Sequence, residues 1–225
     1  MARQVFLWAF IGHTGVGKTV TAVELAKMWR KANPNGKVIG FDPHDILTNS
    51  GILDYYISSK DENWATWLMQ RDKNGKYKFS DSLLILDDYR SLLDGNDCPT
   101  DVLELLALRR RLGLDWIYIT HNPKLILNRF TYYTNFISIF YCEAHASDYS
   151  DKIPKYAACQ KASNMINKYI LKKIEEGRIK NPNYTKDDFM KECYPNFPHV
   201  IVRMESDQLE AMNMDQKIVN QLELA

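Results

Sequence analysis

Gly12-His13-Thr14-Gly15-Val16-Gly17-Lys18-Thr19 follows the pattern G-x-x-x-x-G-K-[ST]. Each residue type in it has a chemical use. The glycines let the backbone curl until successive N–H groups face one anion, the lysine adds a mobile cation, and the terminal hydroxyl offers a hard oxygen to a divalent metal. The pattern predicts that residues 12–19 wrap the phosphates of a nucleoside triphosphate, with Lys18 on the β and γ phosphates and Thr19 on Mg²⁺. Leu83-Leu84-Ile85-Leu86 runs into the acidic pair Asp87-Asp88. A carboxylate at the end of a buried strand binds such a metal, and a second one beside it polarises water; Asp87 is expected to serve the metal and Asp88 the attacking water. Read alone, the pair is equally a solvated strand end.

These groups need a scaffold that brings them to one edge. Residues 5–11 form a continuous apolar run rich in aromatic and β-branched side chains, as in a strand buried on both faces. After the glycine loop, Ala22, Leu25, Ala26 and Trp29 recur at helical spacing. Asn33-Pro34-Asn35-Gly36 ends that helix, and a second strand is expected over 37–41. Further strands are expected over 83–86, 116–120 and 136–141, with a helix marked by Val102, Leu105 and Leu106 between two of them. Trp64, Trp67 and Leu68 fit one helical face, and Asn74-Gly75 reads as a tight turn or hairpin tip. Near-continuous apolar strands alternating with helices predict an α/β chain with a mainly parallel sheet covered by helices on both faces.

The chain is expected to divide into a core over residues 1–145 and a helical elaboration over 146–225 packed on the same domain. Within the latter, helix is expected over 164–179 and from Thr185-Lys186-Asp187-Asp188 onward. One more strand is expected at His199-Val200-Ile201-Val202, followed by a weakly amphipathic tail.

A formal net charge of +1 does not suit a protein that coats nucleic acid over its whole surface, so any such contact is expected to be local. Cys98, Cys142, Cys159 and Cys193 lie too far apart for a C-x-x-C metal clip and are expected to be reduced. No apolar run approaches the about 20 residues needed to span a bilayer, and no secretory cleavage pattern follows the amino terminus. The expectation is a cytoplasmic protein without membrane contact. In residues 151–196 basic side chains outnumber acidic ones; that segment reads either as a face for DNA or a partner, or as a solvated surface.

Residues 12–19, Phe41-Asp42-Pro43-His44, Asp87-Asp88, and Arg110-Arg111-Leu112-Gly113-Leu114 leading to Thr120-His121-Asn122-Pro123 resemble the FtsK/HerA superfamily of DNA-pumping ATPases. That group includes viral genome-packaging ATPases and zonula-occludens-toxin-like assembly ATPases of filamentous phages. The resemblance covers about residues 5–141. It implies a RecA-like P-loop NTPase fold in which the strand ending at Thr120 lies between the first strand and the Asp87 strand. His121 then stands where the superfamily usually has a glutamine that senses the γ-phosphate; a turn leaving the sheet is the other reading. Asp42-Pro43-His44 is similar to an Asp-Pro-His of HerA-like proteins and reads as a proline-stiffened strand exit.

The resemblance further implies ATP and Mg²⁺ as substrate and metal, and self-association into a ring. Double-stranded DNA would pass through the pore, with a viral capsid or portal component as a further partner. Arg110 matches the superfamily's Arg-x-x-Gly and would complete a neighbouring subunit's site, with Arg109 and Arg111 as substitutes. The plainer reading makes all three a solvated basic helix end. ATP hydrolysis driving DNA translocation, above all viral genome packaging, is the expected function. The alternatives are a nucleotide-switched assembly, secretion or conjugation ATPase, and a nucleoside or nucleotide kinase.

Overall fold

Parallel strands buried on both faces must be apolar throughout, and the five apolar runs all become neighbours in one sheet. A computed structural model describes residues 4–58, 63–92, 98–126, 128–142, 153 and 155–223 of the chain. The parallel strands are β1 (Leu7–Ile11), β2 (Lys37–Phe41), β4 (Ser82–Leu86), β5 (Asp115–Thr120) and β6 (Phe136–Ile139). Three strands complete an eight-stranded sheet of order β3-β2-β4-β5-β1-β6-β7-β8. The two-residue β3 (Tyr55–Tyr56) is parallel to β2, while β7 (His199–Arg203) and β8 (Leu209–Met212) form an antiparallel hairpin on β6. The strand ending at Thr120 thus lies between β1 and the Asp87 strand, as the resemblance implies.

The helices among the described residues are α1 (Lys18–Ala32), α2 (Ile46–Asn49), α3 (Trp64–Leu68), α4 (Thr100–Leu112), α5 (Asn128–Tyr133), α6 (Tyr156–Lys180), α7 (Lys186–Glu192) and α8 (Gln216–Glu223). The crossovers β1-α1-β2 and β4-α4-β5 advance in opposite directions along the sheet. Right-handed connections therefore put α1 and α4 on opposite faces.

Several local expectations hold for identifiable reasons. Asn74-Gly75 is a hairpin tip: Gly75 has φ +76 and Arg71 bridges Tyr77. Helix α7 starts with a reciprocal capping box between Thr185 and Asp188. Gly113 ends α4 with φ +66, its N–H donating to the Arg110 carbonyl and Leu114's to that of Arg109, which is a Schellman stop.

Other expectations need correction. Helix α6 begins at Tyr156, not near residue 164, and the supposed tail holds β8 and α8. The boundary drawn between residues 145 and 146 falls outside the described residues, as do residues 151, 152 and 154 of the basic segment; β7 and β8 beyond it pair into the same sheet.

An aromatic cluster packs along β5 and joins it to the segment that follows β4. Phe130 sits 5.4 Å from Tyr89, 5.2 Å from Tyr118 and 5.3 Å from Trp116, measured between ring centroids. Such pairs each contribute about 0.5–1.5 kcal/mol beyond burial. The buried Tyr118 hydroxyl is satisfied by Thr134 Oγ1 at 2.9 Å. Tyr89 donates its hydroxyl to the Leu125 carbonyl at 2.7 Å. This fixes the chain immediately after Asp87 and Asp88.

Candidate active site

The loop of residues 12–19 extends the sheet at its carboxyl edge. Gly12 N–H donates to the Thr120 carbonyl on one side, and His13 N–H to that of Tyr141 on the other. Ligands of open α/β sheets bind in the crevice beyond this edge. At the start of α1, Gly17 has φ +87, a conformation that favours glycine, and a Cβ there would lie 2.0 Å from Cγ of Phe197. The loop geometry therefore excludes any larger residue at position 17.

Lys18 is 4% exposed. Its Nζ donates to the carbonyls of Gly12 at 2.7 Å and His13 at 2.6 Å and approaches His121 Nδ1 at 3.2 Å. Burial lowers its pKa to about 8, with Asp87, Cys142 and Asp88 pulling the other way. Thr19 Oγ1 donates to Asp87 Oδ2 at 2.7 Å, which joins the loop to the end of β4. Burial raises the Asp87 pKa and the neighbouring Asp42 adds to this, against the Thr19 hydrogen bond, Lys18 and His44. Asp88 is half-buried and sits at φ +47, a left-handed conformation that aspartate tolerates better than most residues.

His121 closes the group from β5. Its Nδ1 is also 3.4 Å from Thr14 Oγ1, and burial lowers its pKa, with Lys18 adding to the effect and Asp88 opposing it. Lys18, Thr19, Asp87, Asp88 and His121 thus share one crevice over β1, β4 and β5. Thr19 and Asp87 are hard oxygen donors held side by side. They fit Mg²⁺, which keeps several waters and takes few protein ligands beside substrate phosphates.

Arg110 is not in that crevice. It is exposed near the end of α4, at the opposite edge of the sheet, where β5 begins. Arg111 is exposed as well. Arg109 is 2% exposed, donates from Nη2 to the Tyr133 carbonyl at 3.0 Å, and is not part of a solvated basic end. That removes it as a substitute for Arg110. Its spacing from Val102, Leu105 and Leu112 was the available signal, since Arg109 shares their helical face.

Asp42 also differs from expectation. Its carboxylate is fully buried and accepts from the backbone N–H of His44 at 2.9 Å and of Leu47. It organises the turn into α2 instead of merely ending a stiff strand. Phe197, packed on Gly17 from 180 positions away, had no local signal at all.

No protein-family model and no curated protein matches the chain. Among solved structures, the genome packaging NTPase B204 from Sulfolobus turreted icosahedral virus 2 in complex with AMP is similar at TM-score 0.66 and 14% identity. The match covers 94% of this chain and 98% of that one. The same NTPase in complex with ATP-gammaS gives TM-score 0.63 at 13% identity, over 93% and 97% of the two chains. The N-terminal domain of zonular occludens toxin from Neisseria meningitidis gives TM-score 0.52 at 12% identity, over 97% and 98%. The chain has the α/β, RecA-like P-loop NTPase fold of these structures, which are of the kinds its motifs resemble. Among the described residues no helix is long and apolar enough to cross a membrane.

Proposed function

We propose that this chain binds ATP with Mg²⁺, hydrolyses it, and as a ring uses the energy to move double-stranded DNA into a viral capsid. The observation that carries the hydrolytic reading is the convergence of Lys18, the Thr19–Asp87 hydrogen bond, Asp88 and His121 in one crevice. Lys18 would exchange its bonds to the Gly12 and His13 carbonyls for phosphate oxygens, and the N–H groups of residues 12–19 would complete the cradle. Asp88 would orient the attacking water and accept its proton, while His121 would hold the γ-phosphate. Thr19 and Asp87 would hold Mg²⁺, which when bound neutralises charge on the β and γ phosphates.

Genome packaging is supported by the fold shared with the packaging NTPase over nearly the whole of both chains. The fold shared with the zonular occludens toxin domain favours a second reading, an assembly or secretion ATPase indifferent to DNA. Phosphate release from ATP by purified protein tests both. Release should require Mg²⁺, disappear in Lys18→Ala, and fall by about 10²-fold or more in Asp88→Asn with ATP still bound. Duplex DNA should stimulate it. Hydrolysis that survives Lys18→Ala would refute the site, and a rate untouched by DNA would favour the second reading.

A further inference from the structure

The hydrolytic groups fix the direction in which a nucleotide would lie. Thr19–Asp87, Asp88 and His121 all stand on the β4–β5 side of β1, so the γ-phosphate end belongs there. The base must then leave the loop on the other side, over β6 and β7.

A built aromatic surface waits on that side. The segment between α7 and β7, residues 193–198, crosses the loop with the Phe197 ring against the Cα of Gly17. Tyr194 stands edge-on to Phe197, 6.2 Å between centroids with the planes at 87°, and is 67% exposed. The segment is held from beneath. The Phe197 carbonyl accepts from Asn213 Nδ2 at 3.1 Å and faces His199 Nδ1 at 3.0 Å, and the His199 ring stacks on Phe140 at 4.7 Å and 19°. The start of α7 approaches the loop through Tyr141: Lys186 Nζ lies 5.0 Å from the centre of the Tyr141 ring, which packs 5.9 Å from His13. Helix α7 thus starts beside Tyr141 and leads into the segment that carries Tyr194 and packs Phe197 on Gly17.

We infer that Tyr194 is the stacking platform for the nucleobase of the bound nucleotide, an inference that rests on the ATP-binding reading above. Any planar base offers a π face, and stacking on a ring is tolerant of base identity. The site should accordingly show little preference between adenine and guanine triphosphates. The tyrosine hydroxyl has no part in stacking, so phenylalanine should serve as well.

Calorimetry with ATP and with inorganic tripolyphosphate, each with Mg²⁺, tests this on the whole chain. Tyr194→Ala should weaken ATP on the order of 10-fold while leaving tripolyphosphate affinity unchanged, and Tyr194→Phe should match the wild type for both. Equal affinity of Tyr194→Ala and wild type for ATP, or an equal loss toward both ligands, would overturn base stacking and leave the phosphate site standing. Wild-type protein that binds neither ligand would overturn the ATP reading and this inference together.

Discussion

His121 faces a donor that has no lone pair. A charged Lys18 can only donate, so His121 Nδ1 at 3.2 Å accepts and the ring proton resides on Nε2. That N–H is what a glutamine amide would present at the same place. Burial and the Lys18 charge hold the ring's pKa below its ordinary 6.5, so the imidazole is neutral at pH 7. Falling pH protonates Nδ1, removes the acceptor and sets a second positive charge beside Lys18. The pH profile of kcat/KM should therefore lose activity on an acid limb below pH 6.5. His121→Gln should remove that limb and keep the plateau, whereas His121→Ala should lower the plateau itself; an unchanged limb in His121→Gln would assign it to another group. Asp87 shows the opposite sign of cost. Its pKa is raised by burial beside Asp42, so its ionised form destabilises the fold at pH 7, and that cost fades as pH falls through the raised pKa. Asp87→Asn should then stabilise the ligand-free protein at pH 7 by roughly 0.5–2 kcal/mol in urea titrations, a gain that shrinks in acid, while abolishing Mg²⁺-dependent turnover.

Between elements, Asn167 adds a polar tie between the long helix and the end of β6 to the apolar packing of Ile166 and Ile170. Asn167 of α6 accepts from Cys142 N–H at 3.2 Å and donates to the Cys142 carbonyl at 2.7 Å, just where the chain leaves β6 beside the phosphate loop. Asn167→Ala strips both bonds from a buried residue and should cost about 2–4 kcal/mol in denaturant unfolding; a loss below 0.5 kcal/mol would mean that the helix is held by its apolar face alone. The elements visible in the sequence are those whose burial is local. The parallel strands read as unbroken apolar runs, and Thr185 with Asp188 announces α7. Strands β3 and β8 did not show because they are short edge members with half-buried or exposed side chains, whose pairing is decided by β2 and β7. The first turns of α6 bury Cys159, Ala162 and Ser163, residues too small to print a hydrophobic stripe. The site divides in the same way. Lys18, Thr19 and Asp87 lie in contiguous motifs, but the closeness of Asp42 to Asp87 depends on the pairing of Phe41 with Leu86, and that of Phe197 to Gly17 on the β7 hairpin.

For the whole molecule, the position of Arg110 decides whether one copy can hold a complete site. Arg110 lies before β5 and His121 after it, and the six residues of that strand span about 20 Å, which an arginine side chain cannot bridge. The neighbouring Arg109 is committed to the Tyr133 carbonyl, so Arg110 and Arg111 are the cations of this helix end that remain exposed. In a ring, the edge that carries them can face the nucleotide of the next copy. A guanidinium there would stabilise charge on the transferred phosphoryl group, an effect of about 10³ to 10⁵ in rate in P-loop enzymes. If Arg110 only complements the dipole at the end of α4, its loss costs about 0.3–1 kcal/mol of stability and no activity. Mixing separates the two roles. Lys18→Ala lacks the phosphate lysine and Arg110→Ala lacks the guanidinium, so each should be inactive alone. Mixed assemblies place some intact loops against intact arginines and should recover part of the ATPase rate, rising to a maximum at intermediate ratios. Arg110→Ala protein that hydrolyses ATP at the wild-type rate by itself would reduce the residue to a helix-end charge, and mixed rings that assemble yet stay inactive would exclude its action across the interface.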